Sequence, residues 1–131
     1  MAQNDKKYTI LLVEDDNFLS EMYRTKFEIE GFNVVTADDG EKGLRLSKEK
    51  MPNIILLDIL LPKMDGFEVL EKVKADPKTK SIPVIMLTNL GQKDDVKKGF
   101  ERGAEGYLIK AHFMPSEVVD KIKTVLRDKN Q

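Results

Sequence analysis

Four apolar runs in this chain each end in residues able to do chemistry. Thr9 to Val13 is followed by Glu14, Asp15 and Asp16; Ile54 to Leu57 by Asp58; Val84 to Leu87 by Thr88; Tyr107 to Ile109 by Lys110. If these runs are parallel strands of one sheet, their C-terminal ends share an edge and the side chains converge there. Crowded carboxylates repel one another unless a cation sits among them. Hard oxygen donors with room for water suit Mg²⁺, with Mn²⁺ the second choice. A carboxylate can also attack phosphorus and become an aspartyl phosphate. A metal ion and a lysine would then neutralise the phosphoryl oxygens, and a threonine hydroxyl could donate to one of them. Taken singly, each residue has a plainer reading: an acidic helix cap, a turn threonine, a solvated lysine. Asp58 fits capping poorly, because a loop follows it. Their joint occurrence at one end of four runs favours a site.

The elements that must position these residues alternate five times. Tyr8 to Val13 is the first strand, and Asp16 or Asn17 can cap a helix beginning near Phe18. Leu19, Met22, Tyr23 and Phe27 mark its buried face, and Gly31 supplies its stop. Asn33 to Thr36 is a second strand. Asp38 can cap a helix running through Leu44 and Leu46 to about Lys50, closed off by Pro52. Ile54 to Leu57 lacks alternation, as a central strand covered on both faces does. After the loop through Pro62 and Asp65-Gly66, the residues Phe67, Leu70 and Val73 line a third helix. Val84 to Leu87 is the fourth strand. Val96 and Phe100 mark a fourth helix, whose lysines Lys93, Lys97 and Lys98 read as a solvated face. Tyr107 to Ile109 is the fifth strand. Val118, Ile122, Val125 and Leu126 face inward on a last helix, with Pro115 in its first turn. The methionines read as core filler. Five such βα units imply right-handed crossovers and a doubly wound parallel α/β sheet.

Composition bounds the partners. The 131 residues suit one domain, 1–131, with a core spanning about 8–127. Lys plus Arg number 22 and Asp plus Glu 23, a net charge of −1, so no basic footprint for nucleic acid is present. Cysteine is absent, which excludes disulfides and thiolate chemistry. The opening residues lack a signal-peptide core, and no apolar stretch approaches the roughly 20 residues of a membrane span. A cytoplasmic protein without membrane contact is the expectation.

The segments ILLVEDD, IILLDILLPKMDG, PVIMLTNLGQ and GAEGYLIK, in that order, resemble the receiver domain of bacterial two-component response regulators. The resemblance runs from about Tyr8 to Arg127. It implies a flavodoxin-like (βα)5 fold with strand order 2-1-3-4-5. It implies that Asp58 accepts a phosphoryl group from a sensor histidine kinase or a histidine phosphotransfer protein, in a Mg²⁺-dependent reaction. Asp15 would be a direct metal ligand, Glu14 the other acidic-pocket member, and the Leu60 backbone carbonyl would complete the shell around Asp58. Lys110 would pair with the acyl phosphate and Thr88 would sense it. Tyr107 would be the aromatic switch, presenting the surface of the fourth helix, fifth strand and last helix to a downstream protein. Such a module is no enzyme in the turnover sense; it catalyses its own phosphorylation and slow dephosphorylation. A stand-alone monomer or weak dimer is expected, with no direct contact to DNA. His112 has no partner cluster and is not expected to be a ligand.

Two positions depart from the family pattern. Proline usually follows the site lysine, in the cis form; here Ala111 does, and a trans bond is expected. A small residue usually follows the switch threonine; here it is Asn89. Leu60 and Leu90, two residues after Asp58 and Thr88, should flank the path of a hydrolytic water and make the aspartyl phosphate long-lived. Three alternatives fit less well. A haloacid-dehalogenase-like phosphohydrolase needs a general-acid Asp where Leu60 stands. A flavin carrier needs a Ser/Thr/Gly phosphate loop where the chain has Glu14, Asp15, Asp16 and Asn17. A non-phosphorylated pseudo-receiver normally lacks a site residue, and none is missing.

Overall fold

A computed structural model describes residues 7–130; the polar segment 1–6 and Gln131 lie outside the described residues. In chain order the elements are β1 (Thr9–Val13), α1 (Asn17–Ile29), β2 (Asn33–Ala37), α2 (Gly40–Lys50), β3 (Ile54–Leu57), α3 (Gly66–Ala75), β4 (Val84–Thr88), α4 (Lys93–Glu101), β5 (Gly106–Ile109) and α5 (Pro115–Lys129). A short 3-10 turn, Lys110–His112, links β5 to α5. The strands form one parallel five-stranded sheet in the order β2-β1-β3-β4-β5. The flavodoxin-like arrangement is as the sequence implies.

The three inner strands, β1, β3 and β4, are apolar on both faces because both faces are covered. Ile10, Leu12, Ile54, Leu56, Ile85, Leu87 and Leu108 pack against Tyr23 and Phe27 of α1 and Val118, Ile122 and Leu126 of α5. Leu11, Val13, Ile55, Leu57, Val84 and Met86 face the other way, onto Leu46 of α2 and Phe67, Leu70 and Val73 of α3. The alternation hidden in the uniformly apolar runs is therefore real, with both sets of positions buried.

Caps start three of the helices where the chain leaves the sheet. Asp16 accepts from the Leu19 amide at 2.9 Å and Asp65 from the Glu68 amide at 3.0 Å. For α2 the cap is Asp39, not Asp38: Asp39 directly precedes Gly40 and accepts from the Lys42 amide at 2.7 Å. Asp38 lies one residue outside, with its carboxylate 3.9 Å from the Lys42 ammonium. Gly31, at φ +98°, ends α1 as expected.

Other expectations need correction. Thr88 does not lie beyond the fourth strand; it is the last residue of β4, paired with Ile109. A β-branched side chain suits that extension. Phe100 is half exposed, and the buried residue of α4 is Gly99, which packs on the Tyr107 ring. Lys98 is not simply solvated: its ammonium lies 4.4 Å from the centroid of the Phe67 ring. Met86 is core, but Met51 and Met114 are exposed. One expectation at the site lysine holds: no described peptide bond is cis, so Lys110–Ala111 is trans.

Gly66 ties the fold to the acidic edge. Its amide donates to the Ile59 carbonyl at 2.8 Å. A Cβ there would lie 2.1 Å from the Asp58 carbonyl oxygen. A glycine is thus required by close approach of two backbones. Gly66→Ala is expected to lower stability by about 1–3 kcal/mol or more, the usual cost of overpacking. Equilibrium urea denaturation measures it, and an unchanged midpoint would show that the loop yields freely.

Candidate functional site

Register delivers the acidic residues to one place. Val13 pairs with Leu57 across β1 and β3, so Glu14 and Asp58 emerge side by side. The Glu14 amide donates to the Ala37 carbonyl at 2.9 Å and the Asp58 amide to the Val13 carbonyl at 3.1 Å, extending the ladders past the strand ends. Both side chains are buried; Asp15 is exposed. Carboxylate oxygens of Glu14, Asp15 and Asp58 lie within 4.8 Å of one another.

Lys110 reaches this group from the end of β5. Its ammonium donates to Asp58 Oδ2 at 2.7 Å and to Glu14 Oε1. The remaining oxygens are also engaged. Asp58 Oδ1 accepts from the Ile59 amide at 2.7 Å, and Glu14 Oε2 from the Asp16 amide at 3.0 Å. Burial pushes the Glu14 carboxyl above its ordinary value, and the bonds from Lys110 and the Asp16 amide only partly offset it. Burial alone would depress the Lys110 ammonium, but its bonds to Asp58 and Glu14 outweigh burial and the net direction is upward.

A cleft of about 320 Å³ opens over this cluster, lined by Glu14, Asp15, Asp16, Leu19, Asp58, Leu60, Thr88, Asn89 and Lys110. All the residues singled out for chemistry at the strand ends therefore meet. Leu60 stands exposed at the mouth. Leu90 does not line the cleft; its side chain packs, partly buried, on the apolar layer that contains Met86. Asn89 occupies the rim instead, and its Oδ1 accepts from the Ala111 amide at 3.1 Å. The only trace of that bond in the sequence is the pair of departures at positions 89 and 111. His112 is exposed and lies outside the cleft. A larger groove of about 550 Å³ lies at the opposite end of the sheet, among Tyr8, Phe32, Lys123 and Asn130. Its polar groups are already paired, Lys123 with Glu30 and Asn130 with Tyr8.

Thr88 and Tyr107 form a second, linked cluster. Thr88 is buried and its Oγ1 accepts from the Leu90 amide at 3.2 Å. The Tyr107 hydroxyl donates to the Leu90 carbonyl. Its ring packs on Gly99 and lies 6.5 Å from that of Phe100. Burial first, then the charges of Asp95 and Asp58, push the Tyr107 hydroxyl up to about 12, so it remains a donor at neutral pH.

Three buried or clustered carboxylates, one ammonium and one hydroxyl on a sheet edge can hold a hard cation and a phosphoryl group. Comparison with known proteins agrees. The family model for the response regulator receiver domain matches residues 10–123. The chain belongs to this family. It is therefore a receiver domain of two-component signalling, a family whose members are generally not true enzymes, and the phosphohydrolase alternative falls away. It is 41% identical over 118 residues to the DNA-binding dual master transcriptional regulator RpaA of Synechocystis sp., a match covering 90% of this chain and 48% of that protein. The chain thus spans about half the length of the curated relatives it matches. A CheY-like receiver domain protein from Methanospirillum hungatei superimposes with a TM-score of 0.87 at 30% identity, covering 95% of this chain and 98% of that one. The chemotaxis response regulator CheY4 of Vibrio cholerae does so with a TM-score of 0.85 at 28% identity, covering 92% and 99%. No described helix is long and apolar enough to cross a membrane.

The raised Glu14 carboxyl sets a pH dependence. The folded state holds this proton more tightly than the unfolded chain, whose value is near 4.5. Its contribution is therefore most favourable below that value and is lost as pH rises through the folded one. Without divalent cation, the stability of Glu14→Gln relative to the wild type should rise from pH 4 to pH 7. Thermal melts in chelator measure the difference; a flat or falling difference would contradict the burial argument.

Proposed function

We propose that Asp58 is the phosphoacceptor of this receiver domain, with residues of about 8–127 forming the single functional unit. The observation that carries this reading is the Lys110 ammonium held on Asp58 and Glu14 within a group of three carboxylates. A carboxylate oxygen of Asp58 attacks the phosphorus of a phosphohistidine. The phosphorus–nitrogen bond breaks, its electron pair returns to the imidazole nitrogen, and an aspartyl phosphate forms. Both Asp58 oxygens are engaged beforehand, one by the Ile59 amide and one by Lys110. Once one oxygen is bonded to phosphorus as an acyl phosphate, the carboxylate charge is gone. The ammonium then follows the negative charge onto the phosphoryl oxygens.

The donor set fits Mg²⁺, or Mn²⁺ in its place: hard carboxylate oxygens on Glu14, Asp15 and Asp58, with Asp15 open to solvent. The Leu60 carbonyl, on the loop lining the same cleft, is the further ligand we assign. When bound, the ion supplies positive charge against the phosphoryl oxygens. Thr88, at the cleft and one hydrogen bond from the loop that holds Tyr107, is placed to pass the change outward. The output surface is α4, β5 and α5, read by a protein partner. The phosphoryl donor is a histidine kinase or phosphotransfer protein. Phe18, Leu60, Phe113 and Met114 are exposed apolar side chains close in sequence to the cleft residues, and suit docking of such a donor. A cytoplasmic setting accords with this chemistry.

Incubation with a small acyl-phosphate donor and Mg²⁺ should add one phosphoryl mass to the wild type and none to Asp58→Asn. Intact mass spectrometry decides; an equal gain in both proteins, or none in the wild type, would sink the assignment. Thr88→Ala should still take the phosphoryl group, yet lose the phosphorylation-induced NMR shift changes around Tyr107. Unaltered changes in that variant would refute the coupling.

A further inference from the structure

Lys110 works at the end of a weakly held turn. Apart from the Lys110 side chain, buried on Glu14 and Asp58, the Lys110–His112 turn lies exposed, and the Phe113 amide reaches the Lys110 carbonyl only at 3.4 Å. Beside it, the Asn89 side chain crosses from the end of β4 and accepts the Ala111 amide at 3.1 Å. A proline at 111 would have no N–H to give, and a residue smaller than Asn at 89 would bring no side-chain amide oxygen to accept it. The two unusual positions are thus the two halves of one bond. Asn89 also sits between Thr88 and Leu90, whose backbone holds both the Thr88 and Tyr107 hydroxyls.

We propose that Asn89 is a positioning residue for Lys110: through the Ala111 amide it fastens the lysine's turn to the β4–α4 loop and aims the ammonium at Asp58 and Glu14. The inference rests on the reading of Lys110 as the partner of the phosphoryl group. The Asn89 side chain bonds to the Ala111 amide and, among the described residues, makes no hydrogen bond to Asp58. It acts by limiting where the backbone of residue 110 can stand, and misplacement of a reacting group is costly in phosphoryl transfer. It also makes the lysine turn and the Thr88 loop move together.

The test removes each half of the bond. Asn89→Leu keeps the bulk at the cleft mouth and deletes the acceptor; Ala111→Pro deletes the donor. Two quantities are read in each variant and in the double variant. One is the NMR signal of the Lys110 ammonium in metal-free protein. The other is the initial rate of phosphoryl uptake from a small acyl phosphate at saturating Mg²⁺. Each single variant should shift the Lys110 signal and slow uptake about 2- to 10-fold, the size of effect a neutral hydrogen bond carries. The double variant should be no slower than the slower single one, because both remove the same bond. A Lys110 signal and rate unchanged in Asn89→Leu, or single losses that multiply in the double variant, would overturn the proposal. If Ala111→Pro does not fold, Asn89→Leu decides on the same two readings. If the wild type takes no phosphate, the Asp58 assignment falls, and the Lys110 signal alone decides: a shift in Asn89→Leu supports the tether and no shift overturns it.

Discussion

One ammonium group makes the acidic edge of this sheet tenable. Glu14 and Asp58 end neighbouring parallel strands, both nearly shut off from water. Two carboxylates so placed repel each other and lose hydration together. Lys110 lies on both. It comes from β5, two strands beyond β3, a span of about 10 Å at the usual strand spacing. A long, flexible cation is needed to cross the end of β4 and arrive there. The balance remains incomplete, since Glu14 still holds its proton more tightly than an exposed glutamate. Such an arrangement is poor as a source of stability, and that is the condition for a site that gains on receiving a cation.

The parallel sheet makes this meeting unavoidable. The helical crossovers return every strand in the same direction, so each strand end adds its next residue to one edge. Helices cover both faces, which leaves the strand ends as the accessible polar boundaries. The turn from β3 into α3 then closes tightly over Asp58, where Gly66 permits the two backbones to touch. Packing of Phe67, Leu70 and Val73 behind it fixes that turn to the core.

Rigidity is not uniform around the cleft. The β1 and β3 ends rest on two buried layers, whereas α4 buries Gly99 alone among its residues and has no side-chain cap. Its links are Tyr107, the Lys98–Phe67 contact and an ion pair from Arg102 to Glu71. A helix with so little buried apolar surface shifts at low cost. Tyr107 stands beside it, its hydroxyl bonded to the Leu90 carbonyl in the loop after Thr88.

The amino-acid sequence by itself determined the five βα units, the convergence of Glu14, Asp15, Asp58, Thr88 and Lys110, and the family. Strand runs and the residues at their ends are local, and parallel topology converts that local order into one place in space. Tertiary structure alone decided how these groups are partnered. That Lys110 serves Glu14 as well as Asp58 depends on strand spacing and side-chain reach. That Asp39 rather than Asp38 caps α2 depends on where the chain turns out of β2. Leu90 turned to the core while Asn89 took the rim, because a loop can rotate its side chains by one position at no cost to the pattern of the strands beside it. The bond from Asn89 to Ala111 joins positions 22 residues apart, and no periodicity within either segment encodes a contact made only when both loops stand over the same edge.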